Sequence, residues 1–321
     1  MKNISELTDF YYTHLHSDLE VLEKERRVLR DRVIMVGVLL GAIALGFIGF
    51  IYKNVGDFHN GMIFVAIATA ILGAIAYKFM IKDYTKLFKQ KIIRPLIHAI
   101  DEKLRYTPTM HLSQHLFERS ELFKHRIDRY NGNDFVKGDI DGVSVQFSDL
   151  HAEYKTKDSK GNTSWHTIFQ GLFIVAEFNK HFKGRTIILP DHAEKSFGKL
   201  IGGWLQSKNF SRDKLVKMDD PAFEKAFVVY GSDQIEARYL LTHTMMERLL
   251  RFKKKTGQKV FVSFVGSHIH LAVYYNKDLF EPTVFTSLLN YKQAMEYVET
   301  LILAIGIVEE LKLNQKLWSK Q

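Results

Sequence analysis

Residues 33–52, VIMVGVLLGAIALGFIGFIY, run for twenty positions without a charge between Arg32 and Lys53. A second run, residues 61–77, GMIFVAIATAILGAIAY, adds seventeen more and ends at Lys78. A helix needs about 20 apolar residues to cross the hydrocarbon core of a bilayer, with a working range of about 17–25. The eight residues between the runs, Lys53 to Asn60, form a short loop of balanced charge. Together the two runs and their short loop predict a transmembrane helical hairpin over 33–77.

Small residues recur inside both runs. Gly37 and Gly41 make a Gly-x-x-x-Gly step, and Ala66, Ala70 and Ala74 fall four apart on one face. Such spacing lets helix backbones approach closely in lipid, within one chain or between copies. Glycine and alanine are also simply common in membrane helices. Neither run holds an ionisable residue, which favours an anchor over an ion or proton pathway.

The flanks set the orientation. Lys24, Arg26, Arg27, Arg30 and Arg32 precede the first run; Lys78, Lys82, Lys86, Lys89, Lys91 and Arg94 follow the second. The positive-inside rule places both termini in the cytoplasm. Those basic ends also suit contact with anionic lipid.

Outside the hairpin, residues 5–32 read as an amphipathic helix with Tyr12, Leu15, Leu19, Leu22 and Leu29 in a stripe that Arg26 interrupts. Residues 78–106 carry a second stripe, Tyr84, Leu87, Phe88, Ile92, Leu96, Ile100 and Leu104, with a kink predicted at Pro95. Brought together by the hairpin, the two stripes predict a helical stalk beneath the membrane.

Residues 107–321 are long enough for a core of their own and read as α+β. A helix is predicted over 112–127. Alternation then begins around Phe135-Val136, and Asp141-Gly142 between alternating apolar residues is a hairpin signal. Residues 155–164 read as a polar loop, and 168–178 as a strand interrupted by Gly171. Further strands fall at 186–189, 215–218 and 227–230, with a hairpin of 260–265 and 269–274 across Gly266-Ser267. Asp233 opens a helix with Glu236 as a capping-box partner. Its face is predicted to be Ile235, Tyr239, Thr242, Met246 and Leu249, and its end Gly257. A last helix spans 287–318.

The chain has no cysteine and a net charge of +9. That excludes disulfides and thiolate chemistry, and the charge is spread too thinly to argue for nucleic acid. The run Arg251, Lys253, Lys254, Lys255 has only Phe252 as an interleaved aromatic, and it suits a helix C-terminus better than a nucleic-acid site. His111 and His115, or His268 and His270, could each supply two metal positions, but no third ligand follows at a recognisable spacing. Asp219-Asp220 before Pro221 reads as a turn or cap, and Gly202-Gly203 as a lone glycine pair. Asp233, Glu236 and Arg238 read as capping plus a charge network. No catalytic motif is present, so no cofactor or metal is expected and no catalytic residue is assigned. An enzymatic alternative would use Asp149, His151, Glu177 or Arg238.

Several phrases together carry a resemblance: Tyr130-Asn-Gly-Asn-Asp134-Phe-Val-Lys-Gly138, Phe147-Ser-Asp149-Leu-His-Ala152, Phe169-Gln-Gly171-Leu-Phe173, Phe178-Asn179-Lys180 and Ser232-Asp233-Gln-Ile-Glu236-Ala-Arg238-Tyr239-Leu240. They resemble a bacterial domain-of-unknown-function family, numbered 3137, whose members often carry two transmembrane helices ahead of the domain. The resemblance covers about 105–315 and implies a bacterial cytoplasmic membrane and no established activity. The expected role is a membrane-anchored scaffold or interaction module. Its expected partners are membrane lipids and either a second copy, giving a homo-oligomer, or another membrane-associated protein. The alternative is an enzyme or a ligand or lipid sensor at the same surface.

Overall fold

The computed structural model describes residues 4–57, 59–177, 181–190, 213–311 and 313. It divides into two compact units, one of residues 2–96 with 280–298, the other of residues 97–279 with 299–321. The architecture is α+β: long apolar helices come first, and a nine-stranded antiparallel sheet with helices follows.

The helical unit begins with α1 (Ile4–Thr13) and α2 (His16–Val55). The single helix predicted over 5–32 breaks between Thr13 and His16, and only its part from His16 onward is continuous with the first apolar run, in one 40-residue helix. Gly56, at φ 81°, ends it in the left-handed conformation that a residue without Cβ adopts freely. α3 (Asn60–Phe88) returns, with His59 accepting the Gly61 N–H as its N-cap. Where a kink at Pro95 is predicted, the helix instead widens into a π turn (Lys89–Ile93) before α4 (Arg94–Ile100). Arg94 N–H reaches back five residues to the Lys89 carbonyl. Such a bulge re-satisfies backbone just ahead of a residue that has no N–H to give.

The two stripes are buried as their spacing requires: Leu15 just ahead of α2 with Leu19, Leu22 and Leu29 on it, then Tyr84, Phe88, Ile92 and Leu96 after it. Residues 280–298, which sequence alone assigns to the α+β part, pack into this unit as well.

The sheet unit orders its strands β1-β2-β3-β4-β9-β8-β5-β7-β6. They are β1 (Arg105–Thr107), β2 (Arg129–Ile140), β3 (Val143–Lys157), β4 (Thr163–Glu177), β5 (Arg185–Pro190), β6 (Lys214–Val216), β7 (Phe227–Gly231), β8 (Val260–Val265) and β9 (His268–Tyr274). The β2–β3 hairpin turns on Asp141 and Gly142, at φ 50° and 81°, the two positive φ values of a type I′ turn. The expected loop at 155–164 shortens to Asp158–Asn162, because β3 and β4 stay paired out to Lys157 and Thr163. Asp158 folds that loop by accepting from the Lys160 and Asn162 N–H groups. Along β4, β9, β8 and β5 residues of both parities are buried, so both faces of the central sheet are covered.

One face carries a cluster rich in aromatics. Phe117 lies 5.0 Å from Phe173 and 5.9 Å from Phe169 between ring centroids, and Phe123 lies 5.4 Å from Phe169. The predicted helix at 112–127 is only α5 (Gln114–Arg119); residues 120–128 wrap irregularly over this cluster. The remaining helices are α6 (Pro221–Glu224), α7 (Gln234–Leu240), α8 (His243–Thr256), α9 (Tyr291–Ile305) and α10 (Ile307–Leu311). The single helix expected from Asp233 to Gly257 breaks at Leu241, and Thr242 caps α8 by accepting from Met245 N–H. The last helix breaks at Gly306, and its predicted end at Trp318 lies outside the described residues.

Candidate functional site

The seam between α2 and α3 is set by side-chain size. A Cβ on Gly73 would stand 4.0 Å from Leu40, and one on Gly61 would stand 3.6 Å from Ile51. These contacts give an antiparallel register that buries Ala44 and Met62. The predicted small-residue faces lie elsewhere. Gly37 and Gly41 have nothing within 4 Å of their would-be Cβ atoms, and Ala66, Ala70 and Ala74 are exposed. They do not form the seam within this chain, because Leu40 against Gly73 already fills it.

Most of the remaining apolar surface faces outward. Only 6% of each apolar window is buried, although both helices have the length and composition to cross a membrane. A core helix of a water-soluble protein would be mostly buried, so this surface calls for lipid.

Below the runs, Arg26 does not interrupt the stripe but completes it. Its guanidinium donates to both Glu23 carboxylate oxygens, at 2.9 and 2.7 Å, and to the Val284 carbonyl at 2.6 Å. Glu23 in turn accepts the Leu288 N–H at 3.2 Å. Both residues are 4% exposed. The hydrogen bond from Arg26 holds the Glu23 carboxyl down at about 2, against the opposing effect of burial. A charge so deeply buried is tolerable only with such pairing. Around it, Tyr11 donates to the Leu288 carbonyl at 2.9 Å, Lys89 pairs with Glu281, and Lys91 pairs with Asp18 at 2.9 Å. Sequence reading missed this lock, although a Glu and an Arg three apart on an apolar helical stripe are its signal.

In the sheet unit, the family-phrase residues prove architectural. Gly138 packs against Lys103 and Leu104, where a Cβ would come within 2.8 Å of the Lys103 carbonyl oxygen. Gly171, at φ 140°, lies where a Cβ would meet the Val273 oxygen at 2.3 Å. Phe147 is fully buried in β3. Asp149 is 4% exposed and accepts the Leu279 N–H at 2.6 Å.

Asp233 caps α7 through the Ile235 and Glu236 N–H groups. Glu236 does not close a capping box; its carboxylate takes the Lys183 and Gly184 N–H groups at 3.1 and 2.9 Å. Ile235 and Tyr239, predicted on the buried face, are 83% and 56% exposed, because Ala237 and Leu240 turn inward instead. Asn179 and Gly202-Gly203 lie outside the described residues.

The enzymatic set is not gathered. Asp149 stands opposite Leu172, five positions along β4 from Glu177, or roughly 17 Å at strand spacing. His151 bonds Thr167 at 3.2 Å. Arg238 instead lines a cleft of about 480 Å³ with Asp219, Asp220 and His243. Asp220 caps α6 there, as its place before Pro221 predicts.

His111 precedes α5 rather than sharing it with His115, and its Nδ1 bonds the Leu112 carbonyl at 2.8 Å. His268 and His270 do alternate on β9, 6.1 Å apart. His270 is buried with Ser263, whose hydroxyl donates to the Ser120 carbonyl at 2.6 Å. Burial, with Arg119 and His268 nearby, pushes His270 down to about 3. Among the described residues no group of three or more His, Cys, Asp or Glu could hold a metal ion. Sequence reading also missed Arg185, which donates to Asp213 at 2.8 Å and pairs with Glu121.

Residues 167–313 match the family model described as "Protein of unknown function (DUF3137)". The chain thus resembles that family over β4 to α10, while Gly138, Phe147 and Asp149 precede the matched stretch. Among curated proteins none matches. A solved structure, "crystal structure of the mycobacterial trehalose monomycolate transport factor A, TtfA", is 13% identical. The match covers 66% of this chain and 91% of that one, at a TM-score of 0.33, too low to carry any argument here.

Proposed function

We propose that this chain is a two-helix membrane-anchored module of a bacterial cytoplasmic membrane. Both its termini face the cytoplasm, and its α+β part serves there as a scaffold that binds another membrane-associated protein or a second copy of the chain. The supporting observation is the apolar surface of α2 and α3, left outside at 6% burial yet continuous with cationic helices. The buried Glu23–Arg26 pair supports a built platform rather than a loose tether, since it fastens α2 to residues 284 and 288. The open Gly37–Gly41 face supports association between copies.

The absence of cysteine makes topology directly testable. A single cysteine at Asn54 should be labelled by an impermeant maleimide from outside intact cells, and one at Ser267 only after lysis. The reverse pattern would overturn the orientation. Full-length protein from gently solubilised membranes should run as a defined oligomer or carry a stoichiometric protein partner. A lone monomer, unchanged by Gly37→Leu with Gly41→Leu, would remove the scaffold reading.

A further inference from the structure

Just below the apolar runs, the helical unit holds a groove of about 620 Å³ between α2 and α3. From the geometry we infer that this groove binds the headgroup and upper acyl chains of an anionic phospholipid. The inference rests on the membrane-anchored reading above.

Position is the first reason. Arg32 at the top of the groove is the last charge before the first apolar run, and Lys24 at its foot lies eight residues away, about 12 Å along a helix. A headgroup layer extends about 5–8 Å beyond each side of the hydrocarbon core, so the upper groove falls within it. Its apolar lining is Val28, Leu29, Met80 and Leu87. Tyr84 also lines it, 5% exposed, with a hydroxyl that has no hydrogen-bond partner among the described residues.

Charge is the second reason. Cations flanking the hairpin fall into three sets, of which Lys78, Lys82 and Arg94 neither line the groove nor have a carboxylate partner among the described residues. Arg26, Arg27, Arg30, Lys89 and Lys91 each have a carboxylate partner. Lys24, Arg32 and Lys86, which line the groove, have none among the described residues. Two carboxylates, Glu25 and Asp83, line it too and leave a net charge of +1. A phosphate in the groove is recognised by charge, and a single negative headgroup charge balances it. A zwitterionic headgroup would leave that excess unanswered.

The test uses full-length protein, delipidated in mild detergent and titrated with phosphatidylglycerol, phosphatidylethanolamine or free glycerol phosphate while native mass spectrometry counts bound ligand. Phosphatidylglycerol should bind tightest. Replacing the three groove cations (Lys24→Gln, Arg32→Gln, Lys86→Gln) should weaken it about tenfold or more, since each basic side chain at a membrane surface contributes severalfold. Replacing two exposed cations outside the groove (Lys78→Gln, Lys82→Gln) should weaken binding far less than the groove variant does, because neither lines the site.

Glu25→Lys should tighten binding, a gain that no folding defect can mimic. Equal binding by the groove variant and wild type would overturn the site. So would phosphatidylethanolamine or free glycerol phosphate binding as well as phosphatidylglycerol. Alkaline extraction of native membranes separates the two levels of argument. Wild-type protein released as soluble would sink the membrane reading itself. Protein retained in the membrane, with a groove variant that still holds phosphatidylglycerol, would sink only the lipid site.

Discussion

Phenylalanine lives in opposite surroundings in the two units of this molecule. Phe47, Phe50, Phe64 and Phe79 on α2 and α3 are 59–74% exposed, whereas Phe117, Phe169, Phe173 and Phe264 in the sheet unit are at 0–1%. The side chain and its aversion to water are the same. In the sheet unit, neighbouring strands and α5 supply the apolar surroundings; on the hairpin only something outside the chain can supply them. Burial within a chain thus measures folding, while apolar exposure at helical length measures the solvent the chain is built for.

Truncating one ring from each set should separate the two environments most widely. Phe169→Ala should destabilise the full-length protein by about 3–5 kcal/mol, because its close-packed ring neighbours cannot collapse into the space. Phe64→Ala, on the open face of α3, should change stability in detergent by less than about 0.5 kcal/mol. Thermal unfolding of both variants in the same micelle reads the gap, and equal losses would mean the hairpin face is packed after all.

Polar burial offers the next contrast. Arg26→Ala should cost about 3–5 kcal/mol by stranding the Glu23 carboxylate, whereas Glu23→Leu with Arg26→Met should recover most of that loss. A double variant no better than the single would show that Arg26 acts by filling space, not by pairing.

Acid should sharpen the comparison further by separating the units. His270 is held neutral by burial, so below its ordinary value of 6.5 the unfolded chain takes up a proton that the native state refuses, and stability falls as pH drops towards about 3. His268, also lowered by burial, adds in the same direction. Glu23 contributes stability that persists above its ordinary 4.5 and is lost only as pH falls towards about 2. Between pH 6.5 and 4.5 the loss should therefore belong to the sheet unit and shrink in His270→Leu. An unchanged pH profile in that variant would assign it elsewhere.

Much of this was legible because local rules and the fold agreed. The two uncharged runs, the Asp141-Gly142 hairpin, the hairpin across Gly266-Ser267 and the Asp233 cap each follow from a few adjacent residues. The candidate site was less legible. Arg26 looked like a flaw in a stripe because its partner at Val284, and that of Glu23 at Leu288, are about 260 residues away in sequence. Glu236 looked like the second half of a capping box, but Lys183 and Gly184 present their N–H groups to it across the fold.

By itself the sequence determined where apolar residues accumulate, which spacings are helical or alternating, and which turns need positive φ, since these are properties of short segments. Only the tertiary structure decided the strand order, the place of residues 280–298 among the first helices, and the fact that Leu40 and Gly73 make the helix seam while Gly37 and Gly41 stay open. Those outcomes depend on which distant surfaces meet, and periodicity records a face without naming what covers it.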